Sequence, residues 1–389
     1  MARAEGSDAP RRLAFLVTED WYFRSHRLGL AQAARDAGWQ VAVLTRAGGA
    51  FAELEREGFT MVALPWARGR LSPLRELGTL LAIRRFYRTW RPTIVHHVAL
   101  KPCVLGGLAA KGLPVAVISA VAGLGFTFTA TGARARLIRA ALVPALRLSF
   151  RHPHARVLVQ NPDDGAVLAR LGAADPPPLV LIRGAGIDLG RFTALAPPDH
   201  SAGEPPVIAM VARMIAIKGV RDLVAASDAL TGRGVRHRLV LAGSPDPANP
   251  SSLSATELAG IAARPWVELR GHVGDVRSVW ADADIAVQPS LGGEGLPKSL
   301  LEAAACGRPM VATDVPGCRE VVRHGTDGVL VRPGDPAALA DALGLLIGNP
   351  DLRLRMGREA RRGVEGDFAA RAVQDAHLAL YAELAAPLP

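Results

Sequence analysis

Short apolar runs alternate with amphipathic stretches along most of the chain. The first run, 12–17, is followed by a loop-like segment over 18–24, and then by apolar residues at helical spacing over 25–37, where Gly38 ends the pattern. Strand-like runs separated by helical stretches are typical of parallel strands joined by helices. The pattern therefore predicts an α/β protein built from doubly wound parallel sheets.

Two series of this kind follow one another. The first continues with predicted strands at 41–45, 93–97, 115–119, 156–160 and 179–182. The second has predicted strands at 207–211, 238–242, 266–269, 285–289, 309–312 and 328–331. Residues 194–206 contain four prolines and few apolar side chains, which indicates a linker between two domains.

The chain is thus expected to have five parts. They are a disordered tail over 1–11, an N-terminal Rossmann-like domain over 12–193, the linker over 194–206, a C-terminal Rossmann-like domain over 207–366, and over 367–389 a helix that crosses back to the N-terminal domain. Ligands of such sheets bind at the carboxyl ends of the strands. Two facing domains therefore predict a ligand cleft between them.

Composition excludes several classes of protein. Of the 389 residues, 49% are hydrophobic, which excludes wholesale disorder and a collagen-like or coiled-coil chain. No apolar run reaches 18 residues and the first residues are polar, so neither a spanning helix nor a secretory signal is expected. Three distant cysteines argue against a disulfide framework or a zinc cluster. We expect a cytoplasmic protein.

The formal net charge is +10, and the excess of basic residues lies in the N-terminal half. A basic half favours nucleic acid, anionic lipid or a phosphorylated substrate as partner. The chain has no recognisable nucleic-acid-binding motif, so no nucleic-acid partner is expected. Only four of its 46 basic residues are lysines, Lys101, Lys111, Lys218 and Lys298. Because an ammonium is a compact point charge, a retained lysine hints at a tight phosphate site.

The most informative segment is 289–313. Its glycines at 292, 293 and 295 allow backbone to approach a ligand closely. Pro297 suits the first position of a helix that runs to about Cys306 and that Gly307 ends. The start of such a helix carries unpaired N–H groups and partial positive charge, which suits a diphosphate, and Lys298 adds a cation.

Two carboxylates frame this helix start. Like charges repel, so Glu294 and Glu302 are unsuited to phosphate, but both can accept hydrogen bonds from sugar hydroxyls. We assign Glu302 to a ribose and Glu294 to a transferred sugar. Each also has a plain structural interpretation, as a solvated loop residue or a surface helix residue.

A second cation site lies at the end of strand 207–211. Arg213 follows this strand and Lys218 precedes the next helix. Both are expected to point into the same cleft and to neutralise charge on a departing diphosphate, where one strong donor lowers a barrier by about 3–4 kcal/mol.

At these residues the chain resembles the retaining nucleotide-sugar glycosyltransferases of family 4, which have the GT-B fold. The similarity lies in the Arg213…Lys218 pair, in 271–276, in 281–290, in the Glu294…Glu302 motif and in 325–328. The resemblance implies donor binding by the C-terminal domain, retention of configuration, no metal, no cofactor, and contact of the base with backbone near His272 and Val273. The donor site so predicted consists of Arg213, Lys218, His272, Val273, Glu294, Gly295, Leu296, Pro297, Lys298, Ser299 and Glu302, with Glu294, Arg213 and Lys218 as catalytic residues.

Asp282 and Asp284 have the spacing by which other sugar transferases hold Mn²⁺ or Mg²⁺. They precede an apolar strand, so we interpret them as a helix end and a turn. For a double displacement a carboxylate nucleophile is required, and Glu294 is only a weak candidate. Front-face substitution is therefore favoured, with the leaving diphosphate oxygen taking the acceptor proton.

The N-terminal half is similar to bacterial members of the family that build polyprenyl-diphosphate-linked saccharides. The matching stretches are 17–28, 95–102 and 118–128. The resemblance implies acceptor-side roles for His26, His97, Lys101, Gly123 and Gly125, although a single histidine is more often structural and the glycines also suit a turn.

Residues 133–151 place five arginines in an apolar background, interrupted by Pro144. A basic amphipathic helix of this kind binds an anionic bilayer surface, although a core-facing helix with a solvated arginine face has the same pattern. We expect the basic domain to bind the inner face of the plasma membrane peripherally.

The predicted function is transfer of a hexosyl or N-acetylhexosaminyl group from a UDP-sugar to a polyprenyl-diphosphate-linked saccharide in cell-surface polysaccharide synthesis. Transfer to a soluble acceptor, a nucleotide-sugar 2-epimerase on the same fold, and a non-catalytic sugar-nucleotide-binding protein are the alternatives. The epimerase turns over UDP-GlcNAc without an acceptor, and the binding protein transfers to none.

Overall fold

The computed structural model describes residues 10–66, 72–124, 132–170, 178–200 and 203–386, so the predicted tail lies almost wholly outside the described residues. The described residues form two compact units. The first contains those of 1–122, 133–185 and 374–389, and the second those of 123–132 and 186–373. The second unit therefore begins before the linker predicted at 194–206.

The first unit alternates strands and helices. Its elements are β1 (Arg12–Glu19), α1 (Asp20–His26), α2 (Leu28–Asp36), β2 (Gln40–Arg46), α3 (Phe51–Arg56), β3 (Thr60–Ala63), α4 (Pro73–Trp90), β4 (Ile94–Val98), α5 (Leu100–Ala110), β5 (Ala116–Val121), α6 (Ala133–Phe150), β6 (Ala155–Val159), α7 (Pro162–Arg170) and β7 (Leu179–Leu181). The strands form one parallel sheet in the order β3-β2-β1-β4-β5-β6-β7.

The second unit repeats this arrangement. Its elements are β8 (Val207–Val211), a 3₁₀ turn (Ala216–Lys218), α8 (Val220–Gly232), β9 (Arg238–Ala242), α9 (Ala255–Ala262), β10 (Val267–Gly271), α10 (Arg277–Asp282), β11 (Ile285–Gln288), α11 (Lys298–Ala305), β12 (Met310–Thr313), α12 (Pro316–Val321), β13 (Gly328–Val331), α13 (Pro336–Ile347) and α14 (Pro350–Gly363). Its parallel sheet has the order β10-β9-β8-β11-β12-β13. Helix α15 (Ala370–Ala385) contributes its residues from Gln374 onward to the first unit.

Strands of the second sheet are buried on both faces. In β8, Val207 and Ala209 lie in one hydrophobic cluster, whereas Ile208 and Met210 lie in another. Successive side chains of a strand point to opposite faces, so each cluster is the core on one face of the sheet. This explains why β8 is a continuous apolar run rather than an alternating one. The predicted α/β class with two parallel sheets is confirmed.

The strands predicted at 207–211, 238–242 and 328–331 have these bounds in the structure. The loop predicted over 18–24 is wrong, because β1 continues to Glu19 and α1 follows at once. The single helix predicted over 25–37 is two helices, since Arg27 leaves the helical region at φ −129° between α1 and α2. Pro144 lies inside one continuous helix, α6, so it does not divide that segment.

Candidate active site

The carboxyl edge of the second sheet brings together the segments that follow β8, β11 and β12, which are neighbouring strands. Gly219, at φ +74°, allows the closest approach between them. A Cβ on this residue would lie 1.8 Å from the Pro289 carbonyl oxygen, so only glycine fits. The backbone N–H of Leu291 donates to the Ile217 carbonyl at 2.9 Å. The turn that carries Lys218 is thereby fixed to the loop that carries Glu294.

Lys218 and Glu294 form an ion pair with Nζ 2.6 Å from Oε1, and both side chains are mostly buried. The same Oε1 accepts from Ser290 Oγ at 2.5 Å. Gln288 Nε2 donates to Ser290 Oγ at 2.7 Å, and Gln288 Oε1 accepts from Ser299 Oγ at 3.0 Å. A continuous chain of hydrogen bonds thus fixes the Glu294 carboxylate against the end of β11 and the start of α11.

Arg213 lies at the same edge of the sheet and is held by Asp246, whose Oδ2 is 2.7 Å from Nη1. Asp246 is anchored in turn by its backbone N–H, which donates to Ser252 Oγ at 2.9 Å. The Arg213 side chain keeps 45% of its surface exposed. It is therefore held by one carboxylate while nearly half of its side chain stays accessible.

Helix α11 begins at Lys298, with Pro297 as the N-cap residue and without a side-chain cap. Glu302, in the second turn, is 7% exposed, and its Oε1 lies 3.6 Å from Lys298 Nζ. Burial raises the pKa of this carboxyl, and the nearby Lys298 ammonium opposes that shift. The helix start therefore combines partial positive charge with one cation and one buried carboxylate.

His272 and Val273 follow β10, which lies at the opposite border of the sheet from β13. His272 is exposed, whereas Val273 packs on the same hydrophobic cluster as Leu296. The two residues do not join the hydrogen-bond chain around Glu294. Their predicted contact with the base stays a prediction.

The Asp-x-Asp segment does not resemble a metal site. Asp282 ends α10 and pairs with Arg270, whose Nη1 lies 2.8 Å from Oδ2. Asp284 is buried and accepts from His200 Nε2 and from the Val207 backbone N–H, both at 2.8 Å. Both carboxylates are thus explained by structural contacts, and across the described ranges no group of three or more His, Cys, Asp or Glu could hold a metal ion.

Two family models match the chain. One, described as glycosyl transferase 4-like, matches residues 12–161, and the other, glycosyl transferases group 1, matches residues 205–349. Between them they match well over half of the sequence. The chain belongs to the family-4-like GT-B glycosyltransferases. The family and enzyme class predicted from the sequence are confirmed.

Individual proteins agree with this assignment. This glycosyltransferase is 26% identical over 359 residues to the N,N'-diacetylbacillosaminyl-diphospho-undecaprenol alpha-1,3-N-acetylgalactosaminyltransferase of Campylobacter jejuni, covering 90% of this chain and 93% of that protein. Its fold is similar to that of a sucrose-phosphate synthase from Thermosynechococcus elongatus (TM-score 0.79, 19% identity, 96% and 99% of the two chains). It is also similar to Anabaena HepE in complex with UDP and glucose (TM-score 0.77, 17% identity, 96% and 100%).

The predicted acceptor-side residues of the glycosyltransferase lie in different environments. His97 is fully buried in the first unit, its Nε2 lies 3.0 Å from Tyr87 Oη, and it packs against Gly106, which favours a structural role over the predicted acceptor contact. Lys101 is held by Glu76 at 2.7 Å and lies 5.0 Å from the Trp66 ring centroid, which gives it a structural role.

The other acceptor-side residues lie in different places. His26 stacks on Tyr22, is partly exposed, and stays a candidate. Gly123 belongs to the second unit, where its φ is +98° and a Cβ would lie 2.6 Å from the Gly295 backbone nitrogen. It therefore contacts the loop that bears Glu294. Gly125 lies outside the described residues.

His96 and His97 are fully buried on β4, and each has one ring nitrogen without a partner in the described structure. Burial lowers the pKa of His96 well below 6.5 and that of His97 to about 3. Below pH 6.5 the unfolded chain therefore binds protons that the folded chain does not. The free energy of unfolding consequently decreases as the pH is lowered. Between pH 6.5 and 5 we expect His97 to remove about 1.6 kcal/mol from the free energy of unfolding, and His96 to act in the same direction.

Urea unfolding at several pH values tests this expectation. In the His97→Asn variant, the free energy of unfolding should depend less steeply on pH between pH 4 and 6, by about 1.4 kcal/mol per pH unit, whatever its stability at pH 7. The variant His272→Asn is the control, because this histidine is exposed and its side chain has no hydrogen bond to a described residue, and it should keep the slope of the native protein. An unchanged slope in His97→Asn would show that this histidine is not buried in its neutral form.

Proposed function

We propose that this glycosyltransferase moves a hexosyl or N-acetylhexosaminyl group from a UDP-sugar to a polyprenyl-diphosphate-linked saccharide with retention of configuration. The observation that carries the proposal is the Lys218–Glu294 pair beside Arg213 and the start of α11, all at the carboxyl edge of one sheet. Cations and a carboxylate in this arrangement suit a diphosphate that carries a sugar. This transfer would be a step in the synthesis of a cell-surface polysaccharide.

The donor diphosphate is expected to bind Arg213, Lys218 and the first turn of α11. A helix N-terminus favours anions, and both side-chain cations are already held in place by carboxylates. When the bond from sugar to diphosphate breaks, negative charge grows on the leaving oxygen, and preorganised cations stabilise that charge. These residues supply the charge that a metal supplies elsewhere, so we expect transfer to persist in EDTA.

The sugar is expected to be held by Glu294, because a carboxylate accepts hydrogen bonds from hydroxyl groups. Its Oε1 is already used by Lys218 and Ser290, which orients the second oxygen, Oε2. Glu302 is assigned to the ribose hydroxyls. The acceptor hydroxyl then attacks from the face that the diphosphate leaves, and a diphosphate oxygen takes its proton.

The acceptor class is supported by the Campylobacter jejuni relative, which matches 90% of this chain and whose name includes a diphospho-undecaprenol saccharide. UDP as the donor nucleotide is supported by the fold of HepE, described in complex with UDP and glucose. Both are similarities to other proteins.

Contact with a membrane surface is supported by two helices of the first unit. Along α4, Leu74, Leu77 and Leu81 are 83%, 51% and 57% exposed, at the spacing of one helix face. Helix α5 packs against both α4 and α6, and α6 exposes Leu137. Exposed arginines, at 75, 85, 88, 136 and 147, accompany these leucines. Apolar side chains among cations favour an anionic bilayer.

No helix in the described ranges is long and apolar enough to cross a membrane.

Co-sedimentation with vesicles of phosphatidylglycerol and phosphatidylcholine tests the membrane proposal. We expect the triple variant Leu74→Ser, Leu77→Ser, Leu81→Ser to lose about tenfold or more in vesicle affinity, because each buried leucine contributes about 1.5–3 kcal/mol. Leu345→Ser, which removes an exposed leucine from the second unit, is the matched control and should bind as the native protein does. Equal binding by both variants would rule out α4 as the contact.

The transfer reaction itself is tested with a panel of UDP-, GDP- and ADP-sugars. Each is incubated with polyprenyl-diphosphate saccharides and with soluble sugars, and the anomeric configuration of the product is read by NMR. We expect transfer only from UDP-sugars to polyprenyl-linked acceptors, with retention and in the presence of EDTA. An inverted product would contradict the proposal, and turnover of UDP-GlcNAc without an acceptor would indicate the epimerase instead.

A further inference from the structure

The second unit has a cavity of about 610 Å³ away from the candidate active site. It lies between residues 194–200, helix α14, and the amino ends of β11 and β12, which contribute Asp284 and Pro309. The candidate active site is at the carboxyl ends of the same strands. A strand of four residues spans about 13 Å, so the two sites are on opposite edges of the sheet.

Arginine dominates the charge of this cavity. Five arginines line it, at positions 308, 353, 358, 361 and 362, against the carboxylates of Asp284 and Glu365. Its size is within the range of small-molecule sites. The excess of positive charge points to an anionic ligand.

Backbone carbonyls accept the shortest hydrogen bonds of the deepest arginines, so carboxylates cancel only part of the positive charge of the cavity. Arg308, only 3% exposed, donates to the backbone carbonyls of Trp280 and Ala196 at 2.7 and 2.8 Å. Arg353 donates to the carbonyls of Leu346 and Ile347 at 2.7 and 2.8 Å. Arg353 also forms a long ion pair with Asp284, at 3.7 Å, and this carboxylate accepts from two other groups as well. Positive potential therefore persists inside the cavity.

At the outer side, Arg358 and Arg362 lie one turn apart on α14. Arg362 pairs with Glu359, whereas Arg358 is exposed and forms neither a hydrogen bond nor an ion pair with any described residue. An exposed guanidinium without a carboxylate retains all its donors for a ligand. Such a side chain at the rim is suited to a phosphate group.

The remaining wall is apolar. Leu195, Pro197, Pro198 and Leu354 line it, and their side chains offer no hydrogen bonds to a sugar or a second anion. A wall of this kind favours hydrocarbon. We propose that the cavity binds an amphiphilic anion, a phosphate or diphosphate joined to a hydrocarbon body, with the anionic group at Arg358 and Arg362 and the hydrocarbon against Leu354. This site is separate from the proposed donor site, and it stands even if the proposed reaction is wrong.

Isothermal titration of the full chain with geranyl diphosphate tests the proposal. We expect saturable binding that UDP does not displace. The double variant Arg358→Ala, Arg362→Ala should weaken it about tenfold or more, because each loses a charge-assisted contact. Arg355→Ala is the matched control, since Arg355 is exposed on the same helix but does not line the cavity, and it should bind as the native protein does.

Two further measurements test the anionic group and the hydrocarbon of the ligand separately. Inorganic diphosphate should bind at least tenfold more weakly than geranyl diphosphate. Leu354→Ser, which removes apolar surface without adding charge, should reduce only the affinity for the prenyl compound. The affinity for UDP should stay the same in every variant, which also shows that they fold. Displacement of geranyl diphosphate by UDP, full affinity in the double variant, or equal binding of inorganic diphosphate would each overturn the proposal.

Discussion

Replacement of Lys218 by alanine is expected to lower kcat by about 10²- to 10³-fold, because removal of one preorganised donor to developing charge costs about 3–4 kcal/mol. The Lys218 ammonium is the cation nearest to Glu294, at 2.6 Å, and is held by a turn that only Gly219 permits. UDP affinity should fall as well, by about tenfold, since part of the contact exists before the reaction. Initial rates with a saturating UDP-sugar, together with UDP titration, separate the two effects.

Three further variants accompany this experiment, at one other lysine, at Lys218 itself and at the neighbouring Arg213. Lys111→Ala removes a lysine of the first unit and should leave kcat unchanged. Lys218→Arg keeps the charge but replaces a point charge by a planar fork, so we expect it to recover only part of the rate. Loss of Lys218 leaves the carboxylate of Glu294 without its counterion, and Arg213→Ala, at a half-exposed position, provides a second variant if folding fails. Full activity in Lys218→Ala and Arg213→Ala would exclude the cationic diphosphate site.

The sequence predicts much of the fold because buried parallel strands are continuous apolar runs. Strand β8, whose alternate residues enter different cores, is therefore predicted with its observed bounds. Strand β3 is not predicted, since it is a four-residue edge strand with partly exposed side chains and lacks such a run. The break between α1 and α2 is also missed. It depends on the backbone of Arg27, which has no signal in the helical pattern.

The candidate site is predicted less completely, because its supporting contacts form only in the folded unit and leave little local pattern in the sequence. Motif spacing predicts Lys218 and Glu294 as site residues, and the structure pairs them, but the spacing does not show which polar residues fix them. Gln288 and Ser290 are not predicted, although a glutamine that directly follows the apolar residues 285–287 is a signal in the sequence. Asp246 was missed because it follows β9 and reaches Arg213 only in the folded unit. The burial of His97 is not predicted, since its position near the end of a strand does not reveal which face of the sheet the side chain enters.

Glu294 is the residue whose replacement separates the two possible mechanisms of retention. If it binds sugar hydroxyls, Glu294→Ala should reduce kcat/KM by about 10³-fold through lost orientation. Glu294→Gln should lose less, because its amide oxygen still accepts from Lys218 and Ser290, which now contact Oε1 at 2.6 and 2.5 Å. Rates of both variants are to be measured with the same UDP-sugar and acceptor.

A nucleophilic Glu294 leads to a different result, because a double displacement requires its carboxylate to form a bond to the sugar. Alanine and glutamine would then be equally inactive, and azide would restore turnover of the alanine variant by attacking from the vacated face, giving a glycosyl azide of inverted configuration. We expect no such product. The chain of hydrogen bonds from Ser299 through Gln288 and Ser290 holds Oε1 in place, and the ammonium of Lys218 stabilises its negative charge, which lowers its nucleophilicity. The arrangement is that of a carboxylate fixed as a hydrogen-bond acceptor, so the sugar is expected to be held there while the diphosphate leaves and the acceptor enters on the same face.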